Sequence, residues 1–512
     1  MMESSRGRNM IQKKWKSIAL YIGLACAILL NLVIALRPVF SYDESYTIAM
    51  ARNTFSDIVR ITANDVHAPL YYFMVKIMGV LMGGSIYAGR VLSLLCVALF
   101  VLLGWKTCKK TEAKAWLLLF AFTQPLFVTQ ATESRMYTVA LLFFTCSNLL
   151  GYRLLENALK EKDTQIADGK KNTWIIWSGL TVTAILAIYM HTYTMLMMVL
   201  VYIGWLCTAT IRKQKTVFIQ ILSSGLVVGI SYLPWLMVLK RQFAIKTEYL
   251  SDMTLAEANI DAIDVLCKGL NEWFADFFNP NPLIWILGVV LSLVLGYVLV
   301  DYVLKTKEYL WIYTYMVIAL VLGVTLCLVK QNPGSQIYLG RYVFPAFGLI
   351  LIGQANALAD CEDRCSEQQA KRGILALKIG VALVCLCCGA WAYSKEYKLE
   401  DTTGLKQYEA FLEENYQVGD IILANTRYQM AMSIYQPEYR YMVYGILDPY
   451  SPYQNTVAFR EWPQLDGVNR VWAIHANDIN TIDLSMHYDR EHMLDFHYGY
   501  YDWNIEAWTR RE

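Results

Sequence analysis

Apolar residues in this chain come in long unbroken runs, not in the alternating patterns of soluble helices and strands. A bilayer crossing needs about 20 mostly apolar residues. Eleven runs meet that standard, at 17–36, 88–105, 115–131, 136–152, 173–190, 194–210, 217–239, 282–304, 309–329, 341–357 and 374–392. A twelfth run, 69–83, is short and bounded by Ala68-Pro69 and Gly83-Gly84, which predicts a re-entrant or juxtamembrane segment. From about residue 393 the pattern changes to polar sequence rich in Tyr and Trp. There Gln407–Asn415 predicts a short amphipathic helix, Val418–Leu423 a turn into a strand, and Arg470–His475 another strand.

The chain is expected to be a polytopic α-helical membrane protein of about eleven spans with a small extracytoplasmic α/β domain at its C-terminus. The expected parts are a leader at 1–16, a membrane domain at 17–392 with outer loops at 37–87 and 240–281, and a soluble domain at 393–512. Composition agrees. Of 512 residues, 56% are hydrophobic and only 17% charged, with mean hydropathy +0.33. Soluble chains average about a quarter charged residues. A net charge of +2 gives no reason to expect a nucleic-acid partner.

Basic residues set the expected orientation. Arg6, Arg8, Lys13, Lys14 and Lys16 precede the first span, and the short loops near 106–114, 153–171, 212–215, 305–307 and 364–372 are basic. With eleven spans all of these fall on the cytoplasmic side; counting 69–83 as a span would reverse the parity. Arg37-Pro38 after the first span is not a signal-peptide cleavage site. Of the twelve cysteines only Cys267 is expected outside, and none lies beyond Cys388, so the C-terminal domain carries no disulfide.

Ionisable residues gather at the expected outer edge. Asp43 and Glu44 follow the first span. They read either as first-turn acids favoured by a helix dipole or as a general base beside a second acid. Asp65-Val66-His67-Ala68-Pro69-Leu70-Tyr71-Tyr72 reads as extended backbone turning back into the membrane, with His67 either solvated or a cation for an anionic group. Glu133-Ser134-Arg135-Met136-Tyr137 joins two spans. Glu133 and Arg135, two apart, cannot face each other on a regular helix, so a break is expected there. Arg135 is either an ion-pair partner or a phosphate ligand. His191 in Tyr189–Tyr193 and Arg341 in Gly340–Pro345 carry weaker signals at the same face. A Gly-rich phosphate loop, HExxH and GxSxG are absent, and few charges lie within the spans.

In this order, Tyr42-Asp43-Glu44, Asp65–Tyr72 and Glu133–Tyr137 resemble the GT-C glycosyltransferases. They are most similar to the bacterial branch related to dolichyl-phosphate-mannose protein mannosyltransferases and aminoarabinose transferases. The resemblance covers roughly the first 350 residues. Relatives usually carry two prolines where this chain has Ala68-Pro69. The resemblance implies an inverting transferase of the cell membrane. It would move a sugar from a polyprenyl-phosphate donor to an acceptor hydroxyl on the outer face, the acceptor being a protein, a lipid or a glycan. It implies Asp43 as base and Glu44 as its partner. Donor or phosphate contacts would come from Asp65, His67, Tyr71, Tyr72, Glu133, Arg135, Tyr137, His191 and Arg341. Metal use varies within the superfamily, and neither metal nor other cofactor is expected. A lipid-linked sugar flippase or transporter, or a membrane scaffold, would share the spans. A transporter would favour polar residues at mid-membrane depth over an outer acid pair.

Overall fold

The computed structural model describes residues 2–65, 67–164, 169–245, 282–306, 342, 344–364, 367–398, 402–424, 428–444, 452–453, 456–459, 465, 467–476, 482–499 and 501–511. The span expected at 309–329, Arg341, Cys267 and residues 246–281 of the loop expected outside lie beyond them.

The described helices are α1 (Met2–Ala35), α2 (Tyr42–Arg52), α3 (Phe55–Ala63), α4 (Leu70–Leu81), α5 (Ala88–Thr107), α6 (Thr111–Thr123), α7 (Pro125–Thr132) and α8 (Tyr137–Thr164). They continue with α9 (Gly169–Ile188), α10 (Thr192–Ile211), α11 (Lys215–Ile245), α12 (Pro282–Thr306), α13 (Phe344–Asp360), α14 (Gln368–Lys398) and α15 (Thr403–Asn415).

Seven of these are long and apolar enough to cross a bilayer. Leu29, Val33, Ile230, Met237, Leu293 and Leu383 are exposed on them, as a lipid-facing surface requires. The expected span at 115–131 is not straight. Pro125, at the first position of α7, has no N–H to continue the ladder, and α6 and α7 meet at a 66° bend. α13 has only 17 residues, but α6, α8 and α12 surround it, so lipid thickness does not set its length. α4, with 12 residues, is about 18 Å long, too short to span. Several helices outrun their expected ends. α1 begins inside the basic leader, α11 continues to Ile245, and α14 continues to Lys398, beyond the expected boundary at 393.

The C-terminal part is a six-stranded mixed sheet in the order β3-β2-β1-β4-β6-β5. Its strands are β1 (Ile421–Ala424), β2 (Tyr441–Tyr444), β3 (Thr456–Phe459), β4 (Arg470–Ala476), β5 (Tyr488–Tyr498) and β6 (Tyr501–Arg510). β3, β2, β1 and β4 are parallel; β6 and β5 add antiparallel strands at one edge. β1 is buried throughout and β4 nearly so, as expected for central parallel strands. Gly419, at φ +103°, makes the turn into β1.

Candidate functional site

α2 starts at Ser41, whose hydroxyl accepts from the Glu44 N–H while the Glu44 carboxylate accepts from the Ser41 N–H at 3.0 Å. This capping box fixes the first turn of α2, which carries Tyr42 and Asp43 between the two capping residues. Glu44 is fully buried. Its two oxygens accept from Arg90 Nε at 2.6 Å and Arg90 Nη2 at 2.8 Å, and Oε1 also accepts from the Ser134 N–H at 2.9 Å. Every acceptor position of this carboxylate is therefore occupied by the protein. Burial pushes the Glu44 carboxyl upward, but the charge and hydrogen bonds of Arg90, with Arg37 behind it, outweigh this and bring it down to about 2. The expected role of Glu44 as a second catalytic group does not fit this geometry: it ties elements together and reaches no open space.

Nothing in the residues around Arg90 marks it as buried. A cation in the first turn of α5 opposes the helix dipole and needs an anion. It also donates to the Arg37 and Val39 carbonyls, both at 2.6 Å, and its guanidinium lies 4.0 Å from the Phe40 ring centre. A lone Arg at a span edge usually snorkels to the interface, so burial was not legible in the sequence.

Asp43 keeps 36% of its side chain exposed and lies 3.4 Å from Arg135 Nη2. Arg135 is buried, and among the described residues its Nε has no hydrogen-bond partner. It lies in the break between α7 and α8 that the Glu133/Arg135 spacing predicted. The corner is held at three points. The Ser134 N–H donates to Glu44, the Ser134 carbonyl accepts from Thr47 at 3.1 Å, and the Glu133 carbonyl accepts from Ser93 at 2.7 Å. α5 approaches so closely that a Cβ on Gly89 would overlap the Ser134 side chain. The Glu133 carboxylate faces Gln130 Nε2 at 3.4 Å.

From Arg135 the arrangement continues into a group of rings. The Arg135 guanidinium is 6.0 Å from the Tyr137 ring centre, and Tyr137 is 5.5 Å from His191. His191 caps α10 and lies 6.2 Å from His67, 5.6 Å from Tyr193 and 4.9 Å from Tyr342. Tyr193 and Tyr342 stack at 5.0 Å. On the other side, Asp65 accepts from the Tyr46 hydroxyl at 3.0 Å; burial first and the Asp65 charge second push the Tyr46 phenol well above its ordinary range. Tyr46 packs edge-on to Tyr72, which neighbours Tyr71. Tyr71 and Tyr72 are fully buried. Of the residues singled out from sequence, Asp43, Arg135, Tyr137, His191 and His67 thus form one run of neighbours, and Asp65 reaches Tyr72 through Tyr46; Glu44 is enclosed beneath them, the Glu133 carboxylate turns to Gln130, and Arg341 is outside the described residues. Tyr193 and Tyr342 join them.

Among the described residues no three His, Cys, Asp or Glu side chains come together in a way that could hold a metal ion. A separate cavity of about 400 Å³ in the C-terminal sheet, lined by His475, Arg490, Glu506 and Trp508 among others, shares no residue with this site.

No protein-family model matches the sequence, and no curated protein matches it. Solved structures do. The chain is similar to ArnT from Cupriavidus metallidurans in the apo state, with TM-score 0.62 at 12% identity over 96% of this chain and 98% of that one. It is also similar to ArnT from the same organism bound to undecaprenyl phosphate, with TM-score 0.52 at 12% identity over 95% and 97%. The protein therefore has the ArnT-like fold: a polytopic helical membrane part with a C-terminal sheet domain.

Proposed function

We propose that this protein is a membrane glycosyltransferase that moves a sugar from a polyprenyl-phosphate donor to an acceptor hydroxyl on the outer face, with inversion. The observation that carries the proposal is the Asp43–Arg135 pair, an acid still open to solvent 3.4 Å from a buried guanidinium. The shared fold with a protein solved with undecaprenyl phosphate bound supports the choice of lipid.

Asp43 removes the acceptor proton as the hydroxyl attacks the anomeric carbon from the face opposite the phosphate. The bond from that carbon to the phosphate oxygen breaks, and the lipid phosphate leaves as an anion. Arg135 stabilises that charge, and His67, which lies 6.2 Å from His191, and Arg341 are assigned as further donors to it. Preorganised donors of this kind are worth about 3–4 kcal/mol each in other enzymes. The rings of Tyr137, His191, Tyr193 and Tyr342 offer apolar faces for the sugar or for the first lipid units. We assign no metal to the step, since the guanidinium supplies the positive charge. The N-terminus is assigned to the cytoplasm, and the site and C-terminal domain to the outside.

The test is to incubate purified protein with a panel of radiolabelled polyprenyl-phosphate sugars and membrane extract as acceptor source. Release of polyprenyl phosphate from one donor, with label in an acceptor, supports transfer. Movement of intact donor across a proteoliposome membrane without release would instead identify a flippase.

A further inference from the structure

α2 carries Asp43, and it lies between two cores. Met50 belongs to the buried cluster of the membrane part, with Tyr71 and Tyr72. Ile48 and Ala49, with Val39 and Phe40 just before α2, belong instead to the buried cluster of the C-terminal sheet, with Met432, Tyr498 and Trp503. The catalytic segment is thus part of the sheet domain's own core.

Polar contacts follow the same division. The Tyr498 hydroxyl donates to the Phe40 carbonyl and accepts from the Phe40 N–H, both at 2.9 Å. The Tyr435 hydroxyl lies 2.7 Å from the Pro38 carbonyl and 2.6 Å from the Tyr498 hydroxyl, with one proton to give to either acceptor. Burial, the larger influence, pushes the Tyr498 phenol up to about 12, so it keeps its proton at any physiological pH. Further along, Ser45 meets Tyr453 at 3.1 Å, Arg52 donates to the Ile434 carbonyl at 3.1 Å, and Asn53 donates to the Pro452 carbonyl at 2.7 Å. The start, middle and end of the 38–53 segment are all held by the C-terminal domain. Phe40 touches both halves: the Arg90 guanidinium is 4.0 Å and the Tyr435 ring 6.4 Å from its ring centre.

We infer that the C-terminal domain is a working part of the transferase site, with Tyr435 and Tyr498 as positioning residues that hold Asp43 in register with Arg135. The inference rests on the proposed transfer reaction. Arg90 and Glu44 fix α2 to the membrane helices at one point; the two phenols fix the chain just before it. An acid must sit within hydrogen-bond reach of the proton it takes, and an ångström of drift costs rate far more than affinity. Donor binding relies on other residues, so turnover and binding separate.

The test uses the full-length Tyr435→Phe/Tyr498→Phe double variant, with Asn53→Ala as a milder one, each verified by thermal unfolding to be folded. Hydrogen exchange across 38–53, polyprenyl phosphate binding and kcat with the active donor are measured together. We expect faster exchange in 38–53 alone, a kcat at least tenfold lower, and a Kd for polyprenyl phosphate within twofold of the wild type. Unchanged exchange, or faster exchange with undiminished kcat, would overturn the inference while leaving the reaction intact. A wild-type protein that releases polyprenyl phosphate from no donor would overturn the reaction, and the inference with it.

Discussion

Glu44 and Arg90 form a bidentate pair, at 2.6 and 2.8 Å, with neither side chain exposed. The pair joins α2, α5 and the 133–136 corner in one place. It fixes the distance between Asp43, one residue away on α2, and Arg135, one residue beyond the Ser134 N–H that Glu44 accepts.

Breaking that pair leaves a buried charge without a partner, which costs about 3–5 kcal/mol. Arg90→Ala should therefore lower the unfolding temperature in detergent more than any surface Arg→Ala, and Glu44→Gln should do so less. A full-stability Arg90→Ala protein would contradict the buried geometry.

The pair also has a pH signature. The Glu44 carboxyl sits at about 2 when folded, below its ordinary 4.5. A group lowered on folding contributes stability that is fully present above the unfolded value. The stability gap between the wild type and Glu44→Gln should stay level from pH 8 to 5, then close as pH falls from 4.5 toward 2. Thermal unfolding across that range would reveal it; a gap independent of pH would argue against an ionised Glu44.

Gly89 tests the close approach of α5 to the corner. Gly89→Ala needs space that Ser134 occupies. Overpacking of this kind costs about 1–3 kcal/mol. Because Ser134 precedes Arg135, turnover should fall more steeply than stability. Gly89→Ala combined with Ser134→Gly should recover part of both.

The ring group predicts a binding defect. Aromatic contacts are worth about 0.5–1.5 kcal/mol each beyond area burial. Tyr193→Ala or Tyr342→Ala should weaken donor binding by roughly 2- to 10-fold, measured by displacement of labelled donor, with smaller effects on kcat. An effect on kcat alone would place the rings at the acceptor.

Much of this arrangement was legible in the sequence, for physical reasons. Apolar runs announce spans because bilayer thickness sets their length, and α5 and α10 match the expectation closely, while α8 runs on past its expected end at 152. The break at Glu133–Met136 followed from the two-residue spacing of an acid and a base. Other features depend on long-range packing that no local pattern encodes. Arg90 reads as an interfacial anchor until Glu44 is found opposite it. Tyr435 and Tyr498 are two of 35 tyrosines, and nothing in their neighbours marks them as reaching residues 38–40. The bend at Pro125 was hidden because the apolar run continues through it.

The central claim is that Asp43 is the base for sugar transfer. General-base catalysis contributes about 10²–10⁴-fold in rate. Release of polyprenyl phosphate from the active donor should therefore fall by at least a hundredfold in Asp43→Asn, with thermal stability and polyprenyl phosphate binding close to the wild type. An Asp43→Asn protein that turns over at the wild-type rate would contradict the account.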